Sequence, residues 1–336
     1  FHGRSEHTEQ RQRLVDMSNG PYTVAVLMGG SSAEAEVSRN SARQVCQALI
    51  DKGHSTHAIE LNADCPQALI DLEADVVFPA LHGPPGEDGT VQGLLTMLGL
   101  PYVGSDVRGS ALAMDKAVAK HVFRHAGLPV TEDIVVSADT SDLAAAARNV
   151  EARLGPTIAI KPLNQGSAIG VTPLPNGGDI EAALRAALSY GGCLVEPFVM
   201  GKEITVGVLE VDDTLLPHPV IEIVTASEQW YDYENRYTPG QSQHLMPAPL
   251  DTALAQQLQD IAMTAHRALG LSDLSRADFI VTDSGAITLL EVNTLPGMTP
   301  TSLYPEGAAA IGYDFAELMD HLVTRAATRG PRLKIS

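Results

Sequence analysis

The chain has 336 residues, 44% of them apolar and 19% charged, which is long enough for two or three domains with substantial cores. Its net charge of −19 disfavours nucleic acid as a partner, since duplex binding rests on phosphate neutralisation by Lys and Arg; no apolar run is long enough to span a bilayer. Three scattered cysteines, Cys46, Cys65 and Cys193, lack metal-ligand spacing, and their odd number argues against a disulfide framework.

Residues 1–20 are polar without apolar periodicity and read as a disordered leader or tag, with Met17 as a natural start. They lack the basic-then-apolar order of a secretory signal, so a cytoplasmic location is expected. From Tyr22 the pattern gives a strand at 23–28, a Gly29-Gly30 turn and a helix at 38–52 with Ala42, Val45, Leu49 and Ile50 inward. A buried-type strand follows at 75–80, and strands alternating with helices imply a parallel sheet. Residues 109–127 read as one helix that stops at Gly127, with Pro129 just beyond. Next come a strand at 134–136, an Ala-rich helix at 141–154, a strand at 157–161, a Gly-bearing turn, a helix at 180–189 and a strand at 193–198. The last part holds strands at 203–211 and 219–224, a helix at 252–269, a hairpin at 276–293 and a final helix near 315–325.

The hairpin, RADFIVTDSGAITLLEVN, carries Arg276, Asp278, Glu291 and Asn293 on two apolar stretches. A two-residue turn at Ser284-Gly285 sets Asp278 opposite Glu291 and Arg276 opposite Asn293. Alternation with period 2 then puts all four on one face. Two carboxylates and an amide oxygen repel one another unless a cation lies between them, and all-oxygen ligands suit Mg²⁺. The neighbouring guanidinium points to metals that hold an anion. A surface hairpin with ordinary ion pairs is the competing reading. The Gly- and Pro-rich run at 294–305 favours a binding site, because loops set on a rigid sheet concentrate binding groups.

Neither GxxxxGK[ST] nor GxGxxG is present, so a phosphate site must be built another way. Residues 158–171 offer an apolar strand that delivers Lys161 and a turn at 166–170 whose backbone N–H groups approach an anion closely. Only six lysines occur, and Lys116, Lys161 and Lys202 lie inside motifs. Residues 194–203 alternate apolar side chains with Glu196 and Glu203, as expected of a segment lying against a purine and ribose.

GGSSAEAEVS (29–38), HGPPGEDGTVQGLL (82–95), SALAMDKAVAK (110–120), the Lys161 turn, YDYENRY (231–237) and RADF to SLYP (276–305) occur in that order across nearly the whole chain. Together they resemble the bacterial D-alanine:D-alanine ligases of the ATP-grasp superfamily. The resemblance implies an α/β fold with a three-domain ATP-grasp architecture: an N-terminal Rossmann-like parallel-sheet substrate domain at 21–104, a central ATP-grasp subdomain at 105–200 and a C-terminal catalytic domain at 201–330. It also implies ATP and D-alanine as small-molecule substrates, two Mg²⁺ ions with Mn²⁺ as the alternative, and a homodimer engaging neither membrane nor nucleic acid.

In such enzymes ATP phosphorylates the first carboxylate, and the second amine then attacks the acyl phosphate. Carried onto this chain, the resemblance gives Glu34 and His82 to the first substrate, and Asp278, Glu291 and Asn293 to the metals. Lys116, Lys161 and Arg236 fall on the phosphates, and Glu196, Phe198, Val199 and Glu203 on adenine and ribose. Arg276 and the Gly297 N–H form an oxyanion hole, Ser302 and the Leu303 N–H hold the second carboxylate, and Ser167 and Tyr237 bond with Glu34 to close a loop. Arg236 stands where the family usually has Lys, a planar fork in place of a point charge. Gln165 and Ala168 replace the more frequent Glu and Ser. Retention of Tyr237 favours an amine as second substrate; D-serine or D-lactate as acceptor, and an ATP-binding module without ligase activity, are the alternatives.

Overall fold

The computed structural model describes residues 20–32, 34–225 and 242–333. The segment read as a leader (residues 1–19) and the 231–237 motif, with Arg236 and Tyr237, lie outside the described residues.

In the N-terminal part, β1 (Thr23–Met28), α1 (Ala35–Asp51), β2 (Ser55–Glu60), α2 (Cys65–Leu72), β3 (Val76–Pro79) and α3 (Thr90–Met97) follow in chain order. The three strands form a parallel sheet in the order β2-β1-β3. β1 is apolar almost throughout because both of its faces are covered. Val24 and Val26 join the core formed with Ala42, Val45 and Leu49 of α1, while Ala25 and Leu27 pack with Leu69 of α2 and Leu95 of α3. Ile50 is not inward: it is 51% exposed, since the buried stripe runs at 42, 45 and 49 and the next residue turns about 100° away. The sequence reading missed β2, whose STHAIE run is polar and largely exposed.

Residues 109–127 are two helices, not one. α4 (Val107–Met114) and α5 (Lys116–His125) are separated by Asp115, which is extended (φ −81, ψ 103) and whose carboxylate accepts from the N–H groups of Ala117 and Val118. A residue that caps orphan helix donors starts a helix rather than continuing one. Lys116 thereby becomes the first residue of α5, and its N–H donates to Leu163 O at 3.2 Å.

The central part holds β4 (Ile134–Val136), α6 (Leu143–Leu154), β5 (Ile158–Pro162), β6 (Thr172–Leu174), α7 (Ile180–Leu188) and β7 (Cys193–Pro197). Its sheet, β4-β7-β5-β6, is antiparallel throughout, so the alternation of helix and strand signals a parallel sheet only in the N-terminal part. One face is apolar: Ile158, Ile160, Cys193 and Val195 pack on Val150, Leu184 and Ala187 of the helices. By the period of 2, Lys161 and Glu196 fall on the opposite face.

The last part comprises β8 (Lys202–Val211), β9 (Thr214–Pro217), β10 (Ile221–Thr225), β11 (Ser242–Leu245), α8 (Thr252–Leu269), β12 (Leu274–Val281), β13 (Ile287–Asn293), α9 (Leu303–Ala310) and α10 (Phe315–Arg329). The strands form an antiparallel sheet, β11-β10-β8-β12-β13, with β9 on β8. α8 starts where Asp251 accepts from Leu254 N and ends at left-handed Gly270. Its stripe Leu258, Ile261, Ala265 and Leu269 covers Ile204, Val206, Ala277 and Phe279 of the sheet. Arg276 and Asp278, alternating with the buried Ala277 and Phe279, take the other face.

The hairpin register is the one expected, Asp278 opposite Glu291 and Arg276 opposite Asn293, but it arises differently. Thr282 N donates to Ala286 O and Gly285 N to Thr282 O, closing a three-residue turn with Gly285 left-handed. That turn pairs Val281 with Ile287 and Phe279 with Leu289, one residue out of step; the ladder then shifts between Asp278 and Phe279, leaving Leu290 unpaired as a bulge. The bulge cancels the turn.

α10 closes on the N-terminal part. Leu318, Leu322, Val323 and Ala326 share one core with Val24, Val26, Leu49 and Phe78. Beside it Asp273, fully buried, accepts from Gly104 N at 2.8 Å, Arg325 Nε at 3.1 Å and Arg329 Nη2 at 3.0 Å.

Candidate active site

The hairpin face gathers its four polar residues as the register requires. Arg276 grips Asp278 with two parallel bonds, Nε to Oδ1 at 2.8 Å and Nη2 to Oδ2 at 2.7 Å, the fork geometry that guanidinium favours. Asn293 Nδ2 donates to Asp278 Oδ2 at 3.0 Å, and Thr205 on β8 donates to Oδ1 at 2.6 Å. Glu291 pairs with Lys116 Nζ at 3.2 Å. The expected repulsion between carboxylates is thus relieved by the protein's own cations. Asp278 and Glu291 keep 15% and 25% of their side-chain surface exposed, so both remain open to a ligand. Among the described residues no group of three or more His, Cys, Asp or Glu gathers as a metal site; the hairpin brings together two carboxylates and an amide.

Lys116 also donates to Gln165 O at 2.7 Å, joining the hairpin to the turn after β5. In that turn Ser167 (φ 47) and Ala168 (φ 58) are both left-handed. Two consecutive non-glycine residues in this region carry strain of order 1–2 kcal/mol each, and such strain concentrates at functional sites. The Ser167 hydroxyl donates to Glu34 Oε1, linking residues from the central and N-terminal parts. Glu34 is buried, with Gly83 and Gly166 against its other oxygen. His82 is buried next to it; Nε2 lies 3.3 Å from Ser41 Oγ, and burial pushes the imidazole pKa down.

The second polar cluster sits between the two antiparallel sheets. A cleft of about 310 Å³ is lined by Thr131, Ala159, Lys161, Glu196, Pro197, Phe198, Val199, Ile280, Thr288 and Leu290. Its mostly apolar walls with a few polar groups suit a small molecule. Glu196 is paired on one oxygen with Lys161 at 2.6 Å and on the other with Lys120 at 2.6 Å. Burial alone would raise its pKa; the two lysines overcome that and hold it at about 2. Glu203 does not line the cleft; it lies on β8 opposite Ile280 and Ile223.

Beyond Asn293, the expected loop ends sooner than its Pro and Gly content suggests, because Ser302 is the N-cap of α9 and Pro305 sits in the first turn. Ser302 Oγ accepts from Thr299 N at 3.3 Å and lies 2.8 Å from Thr299 Oγ1. Leu303 is the first helical residue, where N–H groups lack a helical acceptor. A Cβ on Gly297 would come within 3.2 Å of Ser302 Oγ.

Comparison with known proteins identifies the family. A family model described as D-ala D-ala ligase C-terminus matches residues 122–324, and one described as D-ala D-ala ligase N-terminus matches residues 63–105. The D-alanine–D-alanine ligase of Desulforudis audaxviator is 45% identical over 308 residues, covering 91% of this chain and 99% of the relative. The chain belongs to the D-alanine–D-alanine ligase family. The family enzyme of Halalkalibacterium halodurans is 43% identical over 302 residues, 89% of this chain and 97% of its own. Among solved structures, the VanG D-Ala:D-Ser ligase from Enterococcus faecalis superposes with a TM-score of 0.78 at 31% identity, covering 91% of this chain and 100% of that one. The Bacillus anthracis D-alanine–D-alanine ligase complexed with ATP gives 0.75 at 27% identity, covering 92% and 99%. The fold is therefore the ATP-grasp fold, in which two antiparallel sheets enclose the cleft described above.

Within this ligase framework the structure adds polar residues that the sequence reading passed over. Glu87, inside the quoted HGPPGEDG motif, accepts from Gly83 N at 2.6 Å; burial, with Glu34 adding to it, pushes its pKa up to about 8. Lys120 and Thr131 hold Glu196, and Thr205 holds Asp278. Their partners lie far off in sequence, so no local spacing marks them.

Proposed function

We propose that this ligase joins two D-alanines to D-alanyl-D-alanine at the expense of ATP, supplying peptidoglycan precursor synthesis in the cytoplasm, as a homodimer with domains at 21–104, 105–200 and 201–330. The observation that carries the reading is Lys116, which bridges Glu291 of the hairpin and the backbone of the Ser167 turn and so places one cation between two facing elements. Phosphoryl transfer needs such positioning and neutralisation more than covalent catalysis.

In the first step an oxygen of the first D-alanine carboxylate bonds to the γ-phosphorus as the bond to ADP breaks. Glu34 holds the ammonium of that substrate, with Ser167 and His82 beside it. Lys116 and Lys161 neutralise phosphate oxygens; Phe198 and Val199 enclose the adenine with Glu196, and Glu203, paired across the strands with the cleft residue Ile280, takes the ribose at the cleft's edge. In the second step the neutral amine of the second D-alanine attacks the acyl carbon, phosphate leaves with the C–O electron pair, and the nitrogen gives up its proton to the departing phosphate or to solvent. Arg276 and the Gly297 N–H stabilise the oxyanion, a contribution of roughly 3 kcal/mol per donor. Ser302 and the Leu303 N–H orient the incoming carboxylate. Closure of the loop through Ser167 and Tyr237 onto Glu34 would keep water from the acyl phosphate.

The oxygen donors Asp278, Glu291 and Asn293 on one hairpin face, with Asp278 and Glu291 partly exposed, fit Mg²⁺. When bound there the ion would neutralise triphosphate charge. Mass analysis of products from ATP, Mg²⁺ and mixed D-amino and D-hydroxy acids, with phosphate release followed in parallel, tests the reading. D-alanyl-D-alanine and phosphate release strictly dependent on D-alanine are expected; nucleotide binding without turnover would overturn it. The VanG neighbour makes D-serine the alternative acceptor, and a D-alanyl-D-serine product would reveal it.

A further inference from the structure

Lys120 follows Lys116 by one helical turn on α5 but is only 1% exposed. Its Nζ donates to Glu196 Oε2 at 2.6 Å and to Thr131 Oγ1 at 2.8 Å, and the Thr131 hydroxyl donates to the same carboxylate oxygen at 2.8 Å. Asp133 lies 3.7 Å from Nζ and is itself paired with Arg124 at 2.5 Å. Thr131, Lys161 and Glu196 line the cleft, whereas Lys120 does not. It acts on the cleft from behind.

We propose that Lys120 is a positioning residue that keeps Glu196 an ionised, fixed acceptor and thereby gives the cleft its preference for a 6-aminopurine over a 6-oxopurine nucleotide. The inference rests on the reading of this cleft as the nucleotide site. An ionised carboxylate only accepts hydrogen bonds. It complements an exocyclic amino group and opposes a ring edge that presents an oxo acceptor, which would leave polar groups unpaired in a dry pocket. Glu196 is 4% exposed, where a carboxylate with one cationic partner fewer takes up a proton more readily. A protonated Glu196 donates as well as accepts, and the discrimination falls.

The test measures kcat and KM for ATP and for GTP in D-alanine-dependent phosphate release with wild type, Lys120→Met, Lys120→Arg and Thr131→Val. Lys120→Met is expected to raise KM for ATP about tenfold or more, with kcat nearly unchanged, and to lower the ATP-to-GTP ratio of kcat/KM by at least about tenfold. Lys120→Arg restores most of the ratio, and Thr131→Val lowers it severalfold. Equal losses with both nucleotides, or a lowered melting temperature with the ratio unchanged, overturn the proposal. If Lys120→Met does not fold, an unchanged ratio in Thr131→Val is the overturning result. A wild-type protein that turns over no ATP overturns the functional reading itself, and is recognised by its failure before any variant is compared.

Discussion

Two carboxyl groups of the site, buried Glu196 and half-buried Glu87, differ in charge near neutral pH: the first is ionised and the second is mostly protonated. Glu196, in the cleft proposed for the nucleotide, is flanked by Lys120 and Lys161 and is held at about 2; Glu87, near Glu34, accepts one backbone N–H and is pushed up to about 8. Desolvation acts on both in the same direction. Their partners decide the outcome. The cleft presents a carboxylate already balanced by two lysines, whereas the pocket at the N-terminal sheet collects acids near Arg276 and, on the proposed function, is completed by cations and substrate. Preorganisation belongs to the first region and partner exchange to the second.

The largest expected effect breaks the exchange. Glu291→Gln should lower kcat at least about a hundredfold, beyond the loss usual for residues that merely support a metal ligand, with little change in melting temperature because the side chain is 25% exposed. Near-normal turnover would end the metal assignment. Glu196→Gln should show the reverse balance, since breaking a buried ion pair costs about 3–5 kcal/mol; chemical denaturation measures it, and an unchanged midpoint would remove the distinction between the regions.

The pH dependence sharpens the comparison, because the two groups have opposite signs. The depressed pKa of Glu196 contributes stability that is present above 4.5 and is lost as pH falls from 4.5 towards 2. The raised pKa of Glu87 means that the free enzyme loses stability as pH rises from 4.5 to about 8. Glu87→Gln should flatten that second limb while leaving the acid limb in place, as read from melting temperatures across the range. The smallest effect is expected at Glu203, which lies outside the cleft wall. Glu203→Gln should raise KM for ATP by a few-fold and leave kcat alone; a large drop in kcat would place it nearer the chemistry.

The hairpin shows how far the sequence can be read. Its register followed from assuming a two-residue turn, yet the real turn has three residues and Leu290 bulges to compensate. The pairing was legible because charged residues at alternate positions must share a face; the turn was not, because Ser-Gly serves both lengths. The break at Asp115 was hidden for a related reason: apolar periodicity persists on both sides of it, and only the carboxylate bond to Ala117 and Val118 reveals the new start. In the site, Glu34, Ser167, Lys116 and the four hairpin residues were found from motifs and are brought together. Lys120, Thr131 and Thr205 were not, since Lys120 and Glu196 are 76 positions apart and nothing local distinguishes a buried lysine from a solvated one.

The shared core between α10 and the N-terminal sheet, clasped by Asp273, makes the order of the chain differ from the order of its physical units. Roughly the first third is not a self-contained unit: the last helix packs on α1 and on β3, which carries Phe78, within one shared core. The pocket proposed for the first substrate, near one end of the polypeptide, is therefore hostage to the integrity of the other.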